Sequence, residues 1–264
     1  MNRTSISDLK AKAKDQLLGN YGIATGSFAL LFVLIYTILA VIMSASGIWL
    51  KDSLAANEPM SLAQQFISQG LGMLIGVISA LFSVGYVYVL FRIAREERPS
   101  LSDLFFVFKN HPDKVIIISL ILTGAQFILL LPANLVGSGI TGDQLLTSGG
   151  GRAFLLYIVL YLTGFVISFV IDLMLAMCFM IYIDDPDRGV GDIVKESVAM
   201  MKGNKFRYFY MILSFFGYWL LIMLSCGIAA LWVVPYQTMA MVEFYFDLVN
   251  GNGAVTEQKT EYFV

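Results

Sequence analysis

Long, unbroken apolar runs limit what this chain can become. Five stand out, at roughly 22–50, 66–94, 113–137, 153–183 and 206–249. A helix needs about 20 mostly apolar residues to cross the hydrocarbon of a bilayer. Of the 264 residues 58% are hydrophobic and 14% charged, whereas a soluble domain carries about 25% charge. A soluble core could not hide this much apolar surface, so the expected solvent is lipid. The last run is about twice the length a span needs. Ser225-Cys226-Gly227 lies near its middle, so it reads as a hairpin of two spans, 206–225 and 228–249. The expected fold is all-α and polytopic: six transmembrane helices in a single domain, residues 1–249, with 250–264 as a short cytoplasmic tail. No cleaved signal peptide is expected, because the run after the polar first 21 residues exceeds a signal core of roughly 7 to 15 residues.

The basic residues give the orientation. Of the 17, only Lys51 and Arg152 fall in segments on one side. Arg3, Lys10, Lys12, Lys14, Arg92, Arg95, Arg98, Lys109, Lys114, Arg188, Lys195, Lys202, Lys205, Arg207 and Lys259 fall on the other. Positive charge stays inside, so both termini are expected in the cytoplasm. Trp49, Trp219 and Trp232 lie toward the outer ends of their spans, and Tyr and Phe cluster at the inner ends. Both are belts that amphipathic rings prefer.

Three inner segments resemble one another: SDLKAKAKDQLLGNY from Ser7, SDLFFVFKNHPDK from Ser102 and GDIVKESVAMMKGNKF from Gly191. Each starts with a small residue, then Asp8, Asp103 or Asp192, then Leu or Ile. An Asp in the first turn favours the helix dipole, and the preceding Ser can cap. Each segment reads as a short amphipathic helix at the cytoplasmic surface, leading into a two-span hairpin. The expected plan is a threefold parallel repeat. In the first helix Ile6, Leu9, Ala13 and Leu17 share a face suited to the headgroup boundary.

The stretches LKAKAKDQLLGNYG, KESVAMMKGNKFRYFYMILSFFGYWLL and GIAALWVVPYQTMAMVEFYFDLV carry a resemblance. They resemble an uncharacterised family of six-pass integral membrane proteins of Gram-positive bacteria, defined by a domain of unknown function. The likeness covers nearly the whole chain. Ser197, Met200, Met201 and Gly203, with Pro235 and Tyr236, are its most specific parts. It implies a bacterial plasma-membrane protein and brings no reaction, substrate or catalytic residue.

Catalytic chemistry is hard to place. The one histidine, His111, precedes Pro112 at the inner surface, and reads as a loop or helix-end residue. Gly189-Val190-Gly191-Asp192 matches the Gly-x-Gly-Asp pattern of intramembrane aspartyl proteases, but it sits in a polar loop and opens a surface helix. Cys178 and Cys226 lack metal-ligand spacing and read as reduced core residues. Gly72 and Gly76, spaced for close helix packing, mark the second span. No catalytic, cofactor or metal site is expected.

One residue stands out. Asp172 lies within GFVISFVIDLMLAMCFMIYID, residues 164–184. A carboxylate at that depth costs about 2.5 kcal/mol or more on insertion scales. Gly164, Ser168, Asp172 and Ala176 recur every fourth residue and form one stripe, so Asp172 is expected to face other helices. Its expected partners are neutral: Gln126 and Asn134 on the third span, and Gln237 after Pro235 on the sixth. Two readings stand, a carboxyl that bridges helices by hydrogen bonds and a proton-responsive or substrate-binding site. The functional expectation is a non-enzymatic structural, interaction or envelope-protection protein. A small transporter or lipid-handling protein with a polar site at Asp172 is the alternative. The expected partners are the bilayer, itself or another membrane protein, and no nucleic acid.

Overall fold

A computed structural model describes residues 4–46, 62–137 and 148–261. These are mostly helical, with no strand among the described residues. The helices are α1 (Ile6–Leu17), α2 (Tyr21–Ser46), α3 (Leu62–Ala94), a 3-10 turn (Leu101–Phe105), α4 (Phe106–Lys109), α5 (Pro112–Gly137) and α6 (Ser148–Leu175). They continue as α7 (Cys178–Asp184), α8 (Val190–Met201), α9 (Lys205–Leu213), α10 (Phe216–Leu224) and α11 (Ala230–Glu261).

Among the described residues, five helical stretches are long and apolar enough to cross a membrane: Tyr21–Ile42, Gln69–Ala94, Pro112–Gly137, Gly150–Asp184 and Lys205–Leu224. The sixth expected span, 228–249, falls mostly in α11, where Gln237, Glu243 and Asp247 dilute the apolar residues. α11 continues to Glu261 and so takes in much of the expected tail, where Ala, Glu, Gln and Lys are sound helix formers. Trp49 and Lys51 lie outside the described residues.

The chain divides into two compact units. One comprises Met1–Val33, Leu81–Val115 and Leu173–Val264; the other comprises Leu34–Ala80 and Ile116–Asp172. The first unit holds all three short helical segments, and Phe91, Tyr182, Phe215, Phe244 and Leu17 are fully buried in it. α1 packs along α11. Its apolar face, Leu9, Ala13 and Leu17, is buried against protein instead of lying in the headgroup boundary. The reason is that α11 offers an apolar partner face, where Met239, Ala240, Val242 and Phe244 are also buried.

The three short segments share one register. Their N-caps are Ser5, Ser100 and Gly189, two residues earlier than the sequence pattern placed them. Asp8, Asp103 and Asp192 therefore all occupy the third helical position. Ser5 Oγ accepts from the Asp8 amide at 3.2 Å. The Ser100 amide donates to Asp103 Oδ2 at 2.7 Å, half of a capping box. The residue after each Asp (Leu9, Leu104, Ile193) is buried.

Their ends also match. Gly19 and Gly203 take φ of 87° and 81°, at the same spacing from Asp8 and Asp192. The next residue, Asn20 or Asn204, donates its side-chain amide to the carbonyl four back, Gln16 at 3.1 Å and Met200 at 2.8 Å. In the middle segment Asn110 donates to the Phe106 carbonyl at 2.9 Å, and His111 takes the positive φ, 51°.

Two breaks in the long helices are sealed by these segments. Ser197 on α8 bridges the gap between α6 and α7: its Oγ donates to the Met174 carbonyl at 2.9 Å and accepts from the Met177 amide at 3.3 Å. Lys10 on α1 donates to the Ser214 carbonyl at 3.3 Å, where α9 gives way to α10.

Gly203→Ala forces a Cβ into left-handed backbone and is expected to cost about 1–2 kcal/mol. Gly191→Ala, at a helical position with open space around it, is expected to be neutral or stabilising. Thermal unfolding of the two variants in detergent separates them.

Candidate functional site

The second unit contains the polar pair that the sequence singles out. α5 and α6 run antiparallel and very close. A Cβ on Gly164 would lie 2.7 Å from the Leu129 carbonyl oxygen, so only glycine allows this approach. Two turns along α6, Gln126 Nε2 donates to Asp172 at 3.2 Å to Oδ2 and 3.4 Å to Oδ1. Ser168 is buried between them, and its hydroxyl has no hydrogen-bond partner among the described residues. Asn134 lies two turns further along α5 than Gln126, about 12 Å by helical rise, and has an interaction of its own there. Gln237 belongs to α11 in the first unit, next to Tyr236, whose ring meets Phe215 and Tyr218. A Cβ on Gly76 would lie 3.5 Å from the Thr123 methyl, so α3 also comes close to α5 in the second unit.

The first unit carries a denser polar cluster that sequence reasoning did not single out. Glu243 on α11 is 1% exposed and pairs with Lys12 on α1 at 2.7 Å. Its other oxygen is buried without a hydrogen-bond partner among the described residues. One turn on, Asp247 pairs with Arg207 on α9 at 2.6 Å and accepts from the Thr4 hydroxyl. Arg207 also donates to the Thr4 carbonyl at 2.6 Å. These bonds clasp α1, α9 and α11 together. A second group surrounds Asp184, which pairs with Arg95 and accepts from the Tyr245 hydroxyl at 2.9 Å. Arg92 pairs with Asp103 at 2.6 Å and Glu97 at 2.8 Å. The signal was present in the sequence: Glu243 lies inside an apolar run, as Asp172 does.

The remaining candidates sit on the surface. His111 Nε2 is 3.3 Å from Asp187 and its Nδ1 is 3.9 Å from Asp113. Asp192 is 73% exposed and opens α8 beside Lys195, so the Gly-x-Gly-Asp pattern is a helix start.

The charge states follow the geometry. Burial alone would raise the Asp247 pKa; the hydrogen bonds from Thr4 and Arg207 and the Arg207 charge outweigh it and hold it below the ordinary value. A carboxylate with a depressed folded pKa stabilises above its unfolded pKa, about 3.9, and loses that contribution as pH falls through the folded value. Asp247→Asn is expected to lower stability at pH 7 and to flatten the fall below about pH 4, read as unfolding midpoints from pH 7 to 3. Lys12→Met strands a buried carboxylate and is expected to cost about 1–3 kcal/mol. Lys12→Met with Glu243→Leu removes both charges and is expected to recover most of the loss. A double-mutant cycle on unfolding midpoints measures the coupling.

A comparison with protein-family models places these residues in a known group. The model described as a protein of unknown function, DUF975, matches residues 1–252. No curated protein matches the chain, and no solved structure does. Both polar clusters and all three short segments fall within the matched residues, and the chain belongs to the DUF975 family.

Proposed function

We propose that this is a non-enzymatic integral protein of the bacterial plasma membrane, with both termini in the cytoplasm, acting through structural contacts with itself or another membrane protein. One observation carries the reading. The charged side chains of the first unit tie helices to one another: Lys12 to Glu243, Arg207 to Asp247, Arg92 to Asp103 and Arg95 to Asp184. Groups held in this way build a rigid body on the basic, inward side of the membrane. The shared register of the three short segments supports an origin in threefold repetition.

The Gln126–Asp172 pair favours a second reading, a small transporter or lipid-handling protein. A half-buried carboxylate held by one neutral amide, one turn from a Ser168 hydroxyl that has no partner among the described residues, can accept a polar group within the membrane. Native mass spectrometry of the gently solubilised protein, wild type beside Asp172→Asn, separates the two. The structural reading expects identical spectra with no retained small molecule. A lipid or small molecule kept by the wild type and lost in the variant establishes the second reading instead.

A further inference from the structure

Length and composition qualify Lys205–Leu224 as a span, but the contacts of the first unit set its depth. α9 lies beside α1: Arg207 donates to the Thr4 carbonyl, and Lys10 donates to Ser214 Oγ at 3.2 Å and sits 4.3 Å over the Phe215 ring. α1 exposes Asp8, Lys12, Lys14 and Asp15. Each such charge costs about 2.5–3.5 kcal/mol at the centre of a bilayer. α1, and with it α9 up to Ser214, therefore lies at the headgroup level or in water.

Only α10, nine residues, rises beyond that level. Nine residues climb about 13 Å, less than half of the ~30 Å hydrocarbon core. The return leg gives the same depth. The Thr25 hydroxyl donates to the Leu231 carbonyl at 3.1 Å, in the first turns of α2. α2 continues from there to Ser46, about 30 Å further along its axis.

The turn itself is built for hydrocarbon. Every backbone N–H from Ser225 to Leu231 has an acceptor within the hairpin, including Gly227 to the Ile222 carbonyl at 2.8 Å and Ala229 to Ser225 Oγ at 2.9 Å. A turn in water has no need of that saturation; one in lipid requires it. No charged residue occurs between Arg207 and Glu243, whereas the connections at 51–61 and 138–150 contain Lys, Asp, Glu, Ser and Thr. α10 buries none of its side chains, and Trp219, Leu221, Met223, Leu224, Ile228 and Trp232 are exposed.

We propose that Phe216–Leu231 is a re-entrant hairpin, which enters one leaflet, turns at Ser225–Gly227 near the bilayer midplane and returns, with its exposed face packed against the acyl chains of that leaflet. The leaflet is the cytoplasmic one, a detail that rests on the orientation proposed above; the depth does not. Trp219 and Trp232 then lie within that leaflet instead of in an outer belt.

Cys226 at the tip is exposed, and the other thiol, Cys178, is fully buried. A nitroxide on Cys226 of the full-length protein in phosphatidylcholine–phosphatidylglycerol vesicles reads the depth by electron paramagnetic resonance, whichever way the protein inserts. The expected result is a label relaxed by oxygen and at least about tenfold less accessible to an aqueous nickel chelate than a label at Arg152→Cys; an aqueous label lies outside hydrocarbon, where polar solutes are excluded. Met223→Cys in a Cys226→Ser background is expected to read the same depth. Nickel accessibility at either tip position equal to that at Arg152→Cys means a hairpin that crosses fully, and overturns the proposal.

Discussion

The clasp between the first helix and the last organises the first unit. Lys12 reaches Glu243, and Thr4 and Arg207 close on Asp247 one turn further along α11. Glu243 is almost wholly buried, and a buried carboxylate without a cation beside it is strongly destabilising. α1 is thereby fixed against α11 along its length, with its apolar face covered. Two further consequences follow from that placement. Lys10 is carried to the Ser214 carbonyl, where it supplies the partner that the end of α9 lacks. Gln16 is carried to the Ala94 carbonyl at the end of α3. A helix that reads in the sequence as a surface float is instead the strut that joins several helix ends.

The third short segment has a comparable role. α8 packs on α7, and Ser197 inserts its hydroxyl between the ends of α6 and α7, so that both a carbonyl and an amide freed by the break are bonded. In lipid or at its edge an unpaired backbone group costs several kcal/mol, so long helices interrupt only where a side chain re-satisfies them. The paired devices at either end of the segments, an Asp at the third position and an Asn beside a left-handed residue, keep each one short and well bounded.

Much of this was legible from the residues, because hydrocarbon imposes so few solutions. The apolar runs placed the long helices, the aspartates marked the starts of the short ones, and Ser225-Cys226-Gly227 marked the turn, where Cys226 and Gly227 have φ of 51° and 91°. The depth of Asp172 and the glycine and serine on its face called for a neutral partner on a neighbouring helix, and of the three that the sequence offered the structure pairs Gln126 with it. Other features depend on long-range contact and leave no local trace. Nothing near Lys12 names Glu243 as its partner, and nothing in α1 tells a protein-covered apolar face from a lipid-covered one. Ser5 and Ser7 both fit an N-cap, and the structure selects the earlier one in each Ser-x-Ser-Asp start.

The run 206–249 shows where hydropathy stops being informative. A window sums transfer energies along a helix, and it gives the same score to a helix that crosses and to one that bends after nine residues. The bend at Ser214–Phe215 is invisible to such a sum, because serine and phenylalanine are common in straight spans. Depth is set instead by the neighbours. Lys10 and Arg207 cannot leave the polar side of the membrane, and Thr25 holds Leu231 at the foot of α2, so the apolar residues between them are confined to the height those contacts leave. Charges on one helix thus decide how far another, itself free of charge, can enter the bilayer.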